Sequence, residues 1–587
     1  MPSKIRDIAE ILGVTETANT TNAVLTSVAD GSGLVVYATL DDLPTSGLTA
    51  GDQAYVTSTN RLYVSNGTGW YNVALFNATP TLSISPSGAV TLAVDGSTPT
   101  VITLTGTDSD NADASLVYSV ESDGSFANIA TLSQDSSVFT ITPLSEDSAT
   151  PGSSTLTFKV SDGVSFGSGT TTFSLTFGPD WTVAPTESKL TASDGATGDG
   201  FGSSVSLNSD GTYFIAGAPN DDDGDTSTGS AYVFTRSGST WTQQAKLTAS
   251  GAQFFDQLGG GGAAFNTDAT YVIVGAIQAG APNAYYGAAY VFTRSGSTWT
   301  QQAKLTASDV GHQDQFGKAV AINSDATYAI VGAPFEDGGA GNPSNNNGAA
   351  YIYYRVGSSW SQQARLPSFT NAANAYFGES VSMSSDGTYV AVGARGRYYS
   401  PSNLPGLVYI YTRSGSTWTL QAELVASDNQ TQDFFGKSVS MNPDATYIII
   451  GAQGEDTGGS DAGAAYVFTR SGSTWTQQAK LTASDAQATD YFGYSVSINS
   501  DGTFAAVGAH GEDGGAGNPI SSAGAIYTFK RTGSTWTQQS IITASDASTN
   551  GGYFAMATSI SGDGTYIAAS AQYFNSSTGA AYIYEAG

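Results

Sequence analysis

The 587-residue sequence predicts an all-β chain: a seven-bladed β-propeller preceded by a β-sandwich of immunoglobulin-like size and a small N-terminal β module with a short helix. Three observations carry this. A tryptophan recurs at Trp181, Trp241, Trp299, Trp360, Trp418, Trp475 and Trp536, at spacings of 60, 58, 61, 58, 57 and 61 residues. Behind each stand the same four pieces in order: a WTQQAKLTAS-like run, FGxSVSxN, a Tyr-rich run ending in Gly-Ala, and GAAYVFTR. Each piece is short, rich in β-branched or aromatic residues, and bounded by Gly, Asn, Asp or Ser, which is the pattern of a strand.

Four strands per repeat form a sheet that cannot cover both its faces alone, and a closed ring gives every sheet two neighbours. The repeats open with a lone outer-type strand (Trp181 to Ser193) and stop after a third-type strand (Ala580 to Glu585). The first strand is therefore expected to complete the last blade.

Composition narrows the function. Lys and Arg total 20 against 50 Asp and Glu, a formal charge of −30, which disfavours nucleic acid and anionic membrane surfaces as partners. The absence of cysteine excludes disulfides, thiol nucleophiles and Cys-ligated metals. No transmembrane run is expected, and MPSKIRDIAEILGVTE lacks the apolar region of a signal peptide. The expectation drawn from this is release by cell lysis, as part of a virus particle.

The chain is expected to divide at 1–33, 34–78, 79–178 and 179–587. In the first segment Ser3 caps a candidate helix with Ile5, Ile8, Ala9 and Leu12 on one face before Gly13; it reads as an attachment or oligomerising segment or as a disordered tail. In the second, AYVTSTNRLYVSNGTGWYNVAL reads as three strands with turns at Ser58-Thr59-Asn60 and Asn66-Gly67. This stretch resembles a module of virion structural and fibre proteins of marine tailed phages. In the third, about seven strands alternate with turns, as in an immunoglobulin-like sandwich. TGTDSDNADASLVYSV followed by KVSDG resembles bacterial cadherin-like modules, which implies that Asp108, Asp110 and Asp162 share a Ca²⁺ at one pole; the alternative is turn chemistry by the same carboxylates.

The repeat FGxSVSxNxDGTY…VGAP…GAAYVF is similar to FG-GAP repeats, the unit of integrin-α-like seven-bladed propellers. Many blades of that family bind Ca²⁺ in a DxDxDG-type turn between the first two strands. The turns here (NSDGT at Asn208 to Thr212 and its equivalents) offer one carboxylate each, so those calcium sites are not carried over. Acidic residues gather instead in two other loops per blade. The first pairs Asp194 with Asp199, Asp309 with Asp314, Asp428 with Asp433, and Asp485 with Asp490. The second holds Asp221, Asp223 and Asp225; Glu336 and Asp337; Glu455 and Asp456; and Glu512 and Asp513. Both loops are expected on one end of the ring, as a solvated acidic rim or with calcium bridging them.

Blade four breaks the rim with Arg395, Arg397, Tyr398 and Tyr399, and blade two places Tyr285 and Tyr286 in the equivalent loop. Tyr with Arg suits sugar rings, which stack on aromatic faces while their hydroxyls take directional hydrogen bonds. His312 and His510 sit on separate blades and build no triad or metal cluster, and near-identical repeats leave no divergent constellation, so no enzyme is expected. The function expected is an adhesive structural appendage of a tailed phage. Its N-terminus would bind other virion proteins and its propeller a host glycan or protein, in a homo-oligomer such as a trimer. The alternatives are a calcium-binding bacterial surface adhesin exported without a classical signal, and a polysaccharide-degrading virion enzyme.

Overall fold

The computed structural model describes residues 35–587 apart from 60, 74–77, 93–98, 109–115, 123, 145–151, 164, 176–178, 223–225, 281–284, 310, 338–345, 367, 369–373, 397–405, 514–520 and 547–551. The expected helix between Ser3 and Gly13 lies outside the described residues. The chain divides into two compact units, Met1–Phe177 and Gly178–Gly587.

In the first unit, Arg61–Asn66 pairs antiparallel with Ala50–Val56 on one side and Trp70–Val73 on the other. The Asn66 side-chain oxygen accepts from the backbone N–H groups of Thr68 and Gly69, which fixes the second turn. A fourth strand, Val35–Tyr37, adds in parallel beside Ala50–Val56; three residues are too few to show periodicity. Two further four-stranded sheets follow. One holds Thr81–Ser85, Thr100–Thr107, Val138–Pro143 and Ala130–Asp135; the other holds Val90–Thr91, Phe166–Leu175, Gly152–Ser161 and Val117–Ser122. They share one core, with Ile102, Leu104, Phe139 and Ile141 from the first packed with Leu156, Phe158 and Phe173 from the second. Seven strands are expected, and eight are found among the described residues. Ala130–Asp135 escapes the pattern because it buries only Ala130, so it carries no alternation to read.

The second unit is the propeller. Blade one runs Val205–Leu207, Tyr213–Ala218, Ser230–Ser237 and Thr240–Leu247, each antiparallel to the next. Five further sheets repeat it, to Thr535–Ile542. The seventh contains Thr558–Ile560, Tyr566–Ala571 and Ala580–Glu585, and its outer strand is Thr186–Leu190, antiparallel to Ala580–Glu585. The expected closure is what forms.

Each piece of the repeat clamps one blade to the next. The indole N–H of Trp299 donates to Gln244 of the preceding blade (2.9 Å), and Trp360, Trp418, Trp475 and Trp536 do the same to Gln302, Gln363, Gln421 and Gln478. The first Gln of WTQQ holds the Ser of the preceding TAS: Gln243 with Ser193, Gln301 with Ser250, Gln477 with Ser427. Each TRSG arginine packs over a tyrosine of the preceding blade and donates to its own blade's first turn, as Arg294 does with Tyr213 and the Ala269 carbonyl. The Phe of each Phe-Gly is buried edge-on against its own third strand, as Phe316 against Tyr351 and Tyr353. Its backbone bridges Gly287 of the preceding blade. Gly317 stands at φ +97°, where a Cβ would lie 2.3 Å from the Ala288 carbonyl oxygen, so the close approach needs glycine. The carboxylates of the first turns are held within those turns: Asp210 accepts from the backbone and hydroxyl of Thr212 and from Asn208.

Ring closure rests on Trp181, which is 1% exposed and donates to the Gly564 carbonyl at 3.0 Å. Trp181→Ala is expected to destabilise the propeller by about 3–5 kcal/mol, the cost of emptying a buried aromatic site. Trp360→Ala, at a half-buried position, should cost less. Chemical denaturation of both variants measures the difference.

Candidate functional site

The carboxylate loops meet at one end of the ring, and within a blade an ammonium or guanidinium and a tyrosine hydroxyl tie them together. In blade one, Lys246 contacts Asp194 at 2.8 Å and Asp221 at 3.1 Å, while the Tyr232 hydroxyl contacts both carboxylates. In blade three, Arg365 bridges Asp309 (3.0 Å) and Glu336 (2.5 Å), with Tyr351 donating to Asp309. In blade five, Lys480 bridges Asp428 and Glu455 beside Tyr466. Blade six has Ile541 where blades one, three and five have the cation, and there the Tyr527 hydroxyl joins Asp485 and Glu512. In blades one, three and five a protein cation thus spans the two loops. Among the described residues no group of three or more His, Cys, Asp or Glu side chains is placed to hold a metal ion.

The second Asp of each pair does a different job. Asp199, Asp314, Asp433 and Asp490 accept the backbone N–H three residues upstream, those of Ala196, Gly311, Gln430 and Gln487. Asp256 does so in blade two with Gln253; the LGGGG substitution hides its equivalence in the sequence. Asp337, Asp456 and Asp513 accept backbone N–H groups of Asn346, Asp461 and Ser522. Asp162 likewise accepts from the backbone and hydroxyl of Ser165, which is turn chemistry; Asp110, Asp223 and Asp225 lie outside the described residues, and Asp108 borders them.

Of the Tyr and Arg residues expected to bind a sugar, Tyr285, Tyr286 and Arg395 are among the described residues. Tyr285 and Tyr286 are half-buried, and Tyr285 stands edge-on to His312 at 6.3 Å. Arg395 lies over the rings of Tyr376 (4.5 Å) and Phe434 (6.0 Å), beside the axis. Arg397, Tyr398 and Tyr399 are outside the described residues.

What the sequence reading missed is the axial mouth at the rim end. It is a cavity of about 530 Å³ reached by the residue after Phe-Gly in every blade and by the residue after Gly-Ala in blades one, two and seven. The residue after Phe-Gly reads Ser203, Gly260, Lys318, Glu379, Lys437, Tyr494 and Met556 around the ring, and all seven line the cavity. The residue after Gly-Ala reads Pro219, Ile277, Pro334, Arg395, Gln453, His510 and Gln572. Where the rest of the repeat is constant, these two columns diverge, and that divergence is the signal that would have found the site.

Blades four to seven assemble a polar and aromatic crescent there. Glu379, its side chain 4% exposed, pairs with Lys437 at 2.8 Å and Arg395 at 3.5 Å. Burial opposes its ionisation, but Lys437, Arg395 and Lys318 outweigh that and hold its carboxyl at about 2. Lys437 lies 4.9 Å from the Tyr494 ring centre. His510 packs between Tyr491, stacked at 5.0 Å, and Tyr494 at 4.3 Å, and reaches Tyr553, which meets Tyr573 at 5.7 Å. Burial and then the charge of Lys437 depress His510 to about 4, so it is neutral at physiological pH. The arrangement offers ring faces, a fixed carboxylate and several cations around one opening.

The rim predicts the pH dependence of stability. Burial first, and neighbouring carboxylates after it, push Asp314 and Asp433 up to about 6 and Asp490 up to about 7. An unfolded Asp titrates at about 3.9, so the folded state holds extra protons between that pH and about 7. These groups favour folding most at low pH and lose that contribution as pH rises through 6 to 7. Glu379, Asp194 and Asp428 are depressed, so their contribution is present above the unfolded pKa and lost in acid. Thermal unfolding is expected to show a higher Tm at pH 5 than at pH 8, and Asp490→Asn should flatten that slope.

Among curated proteins none matches the sequence. Solved structures similar in fold include a periplasmic gluconolactonase of Pseudomonas aeruginosa (12% identity, 60% of this chain, 90% of that one, TM-score 0.38). A GH74 enzyme of Niastella koreensis (15%, 63% and 62%, 0.33) and a quinonprotein alcohol dehydrogenase-like protein of Bacteroides thetaiotaomicron (10%, 78% and 94%, 0.33) are also similar. Two of the three are enzymes by name, and the expectation that this chain is not an enzyme is corrected. Its premise, that near-identical repeats leave no divergent constellation, fails at the axial mouth. Likenesses this distant assign no particular reaction to this chain. The FG-GAP repeat matches at residues 185–234, 241–292, 299–353, 360–411, 418–468, 475–529 and 536–584, and the chain belongs to the FG-GAP repeat family.

Proposed function

We propose that the chain is an adhesive structural protein of a tailed-phage particle whose propeller engages a host-surface saccharide at its axial mouth. The observation that carries this reading is that the repeat diverges where its side chains converge on one opening. Residues that clamp the blades recur nearly unchanged, as in the Trp–Gln and Arg–Tyr contacts, whereas Lys318, Glu379, Lys437 and Tyr494 replace one another at a single register position. Selection for packing alone gives no reason for that difference. The chemistry suits sugars: Tyr553 and Tyr573 are 39% and 46% exposed. Charged groups held by Glu379 and Lys437 supply directional hydrogen bonds beside them. The likeness of residues 34–78 to a phage virion module supports placing the N-terminal region at the particle.

Two measurements test the reading. Purified protein presented to an array of bacterial surface polysaccharides should bind a subset of them. Tyr573→Ala and Tyr553→Ala should each weaken that binding roughly three- to tenfold, the worth of one aromatic contact. Mass spectrometry should find the protein in purified particles; its recovery only from a bacterial secreted fraction would refute the particle assignment. Shortening of the bound polysaccharide would make the mouth a cleavage site as well.

A further inference from the structure

We infer that the axial mouth selects an acidic oligosaccharide, seating a monoanionic group of the sugar on Lys318 while a neighbouring ring lies along Tyr494 and Tyr573; this rests on the reading of the mouth as a saccharide site.

The argument starts from charge. The chain carries a formal −30, yet Lys318, Lys437 and Arg395 surround a single carboxylate, Glu379. Glu379 is already satisfied by Lys437 at 2.8 Å and Arg395 at 3.5 Å. Lys318 is half-buried at the same register position one blade earlier, and among the described residues its ammonium has neither an ion pair nor a side-chain hydrogen bond. A half-buried ammonium loses part of its hydration, and an anion brought into the mouth restores it. One negative charge fits, because a second would face Glu379.

An independent observation points the same way. Gln453 Oε1 and His510 Nδ1 are buried and, among the described residues, without a hydrogen-bond partner. They occupy one register position in two consecutive blades. Buried polar atoms are nearly always hydrogen-bonded, so two such atoms beside one opening mark a place for a hydroxyl-rich ligand. The opposite arc leaves room, since Ser203, Gly260 and Gly262 put only small groups into the cavity. A neutral sugar would use the rings and these polar atoms and leave Lys318 as it is. An acidic sugar uses all three.

The test is isothermal titration of the intact protein with a hexuronate oligosaccharide, its methyl ester (same rings, no charge) and a sulfated neutral oligosaccharide. The expected result is that the hexuronate or the sulfated ligand binds about tenfold or more tightly than the ester, as for a charge-assisted contact. That preference should shrink as salt rises, and Lys318→Ala should abolish it. Lys304→Ala, on the exposed rim, should leave it intact. Whichever acidic ligand wins identifies carboxylate or sulfate as the group recognised. Equal binding of ester and acids overturns the inference while the saccharide reading stands. Binding of the acids that survives both Lys318→Ala and Tyr573→Ala overturns the location. Failure of all three ligands to bind overturns the inference, and if the polysaccharide array is blank too, the saccharide reading falls with it.

Discussion

No blade of this propeller covers its own faces, and almost every recurring side chain answers that constraint by reaching its neighbour. The indole of one outer strand finds the glutamine of the strand before it, and each TRSG arginine lies over the previous blade's tyrosine. The Phe-Gly backbone presses so close to the preceding blade that a side chain at the glycine would collide with it. A single such hydrogen bond is worth only about 1 kcal/mol net. Their recurrence, together with the aromatic burial beneath them, makes the ring cooperative, so the seventh blade's borrowed strand is the condition on which the other six clamps depend.

That division of labour explains where function is free to appear. A residue of the recurring clamps cannot change without loosening two blades, whereas the position after Phe-Gly lies at the axial cavity, outside those clamps. Lysine, glutamate, tyrosine and methionine succeed one another there while WTQQ and GAAYVF barely change. Exchange at these positions alters the mouth and leaves the recurring Trp–Gln and Arg–Tyr clamps as they were. The ring is a constant frame around a variable opening.

The periodicity was legible because it is written seven times, and strand closure followed from counting pieces. The acidic pairs were legible as pairs, since two loops of one blade end close together; that Lys246 or Arg365 bridges them was not, because the cation lies on the outer strand, 52 or 56 residues beyond Asp194 or Asp309. Val35–Tyr37 and Ala130–Asp135 left no trace, being too short or buried on too few residues. That Tyr285 meets His312 and Arg395 meets Tyr376 was not legible, because each partner lies in another loop. The mouth itself escaped notice because its residues stand about 60 apart and look unrelated until the repeats are aligned by column. Reading motifs for what recurs hides what differs, and here the difference carries the chemistry.

The electrostatic layout has a consequence of its own. On the proposed reading, an acidic ligand heading for Lys318 must pass a rim of carboxylates, and in blade six that rim has no lysine or arginine at the Ile541 position to offset Asp485 and Glu512. Long-range repulsion by a net charge of −30 slows the encounter, while the local cations hold the ligand once it arrives. Salt screens the long-range term over roughly 8–10 Å at ordinary ionic strengths and affects a half-buried contact much less. Added salt therefore accelerates association and weakens retention by unequal amounts. On the proposed saccharide reading, binding in saline surroundings gains from that asymmetry: the acidic rim ceases to be a barrier, and discrimination is left to the few residues at the axis.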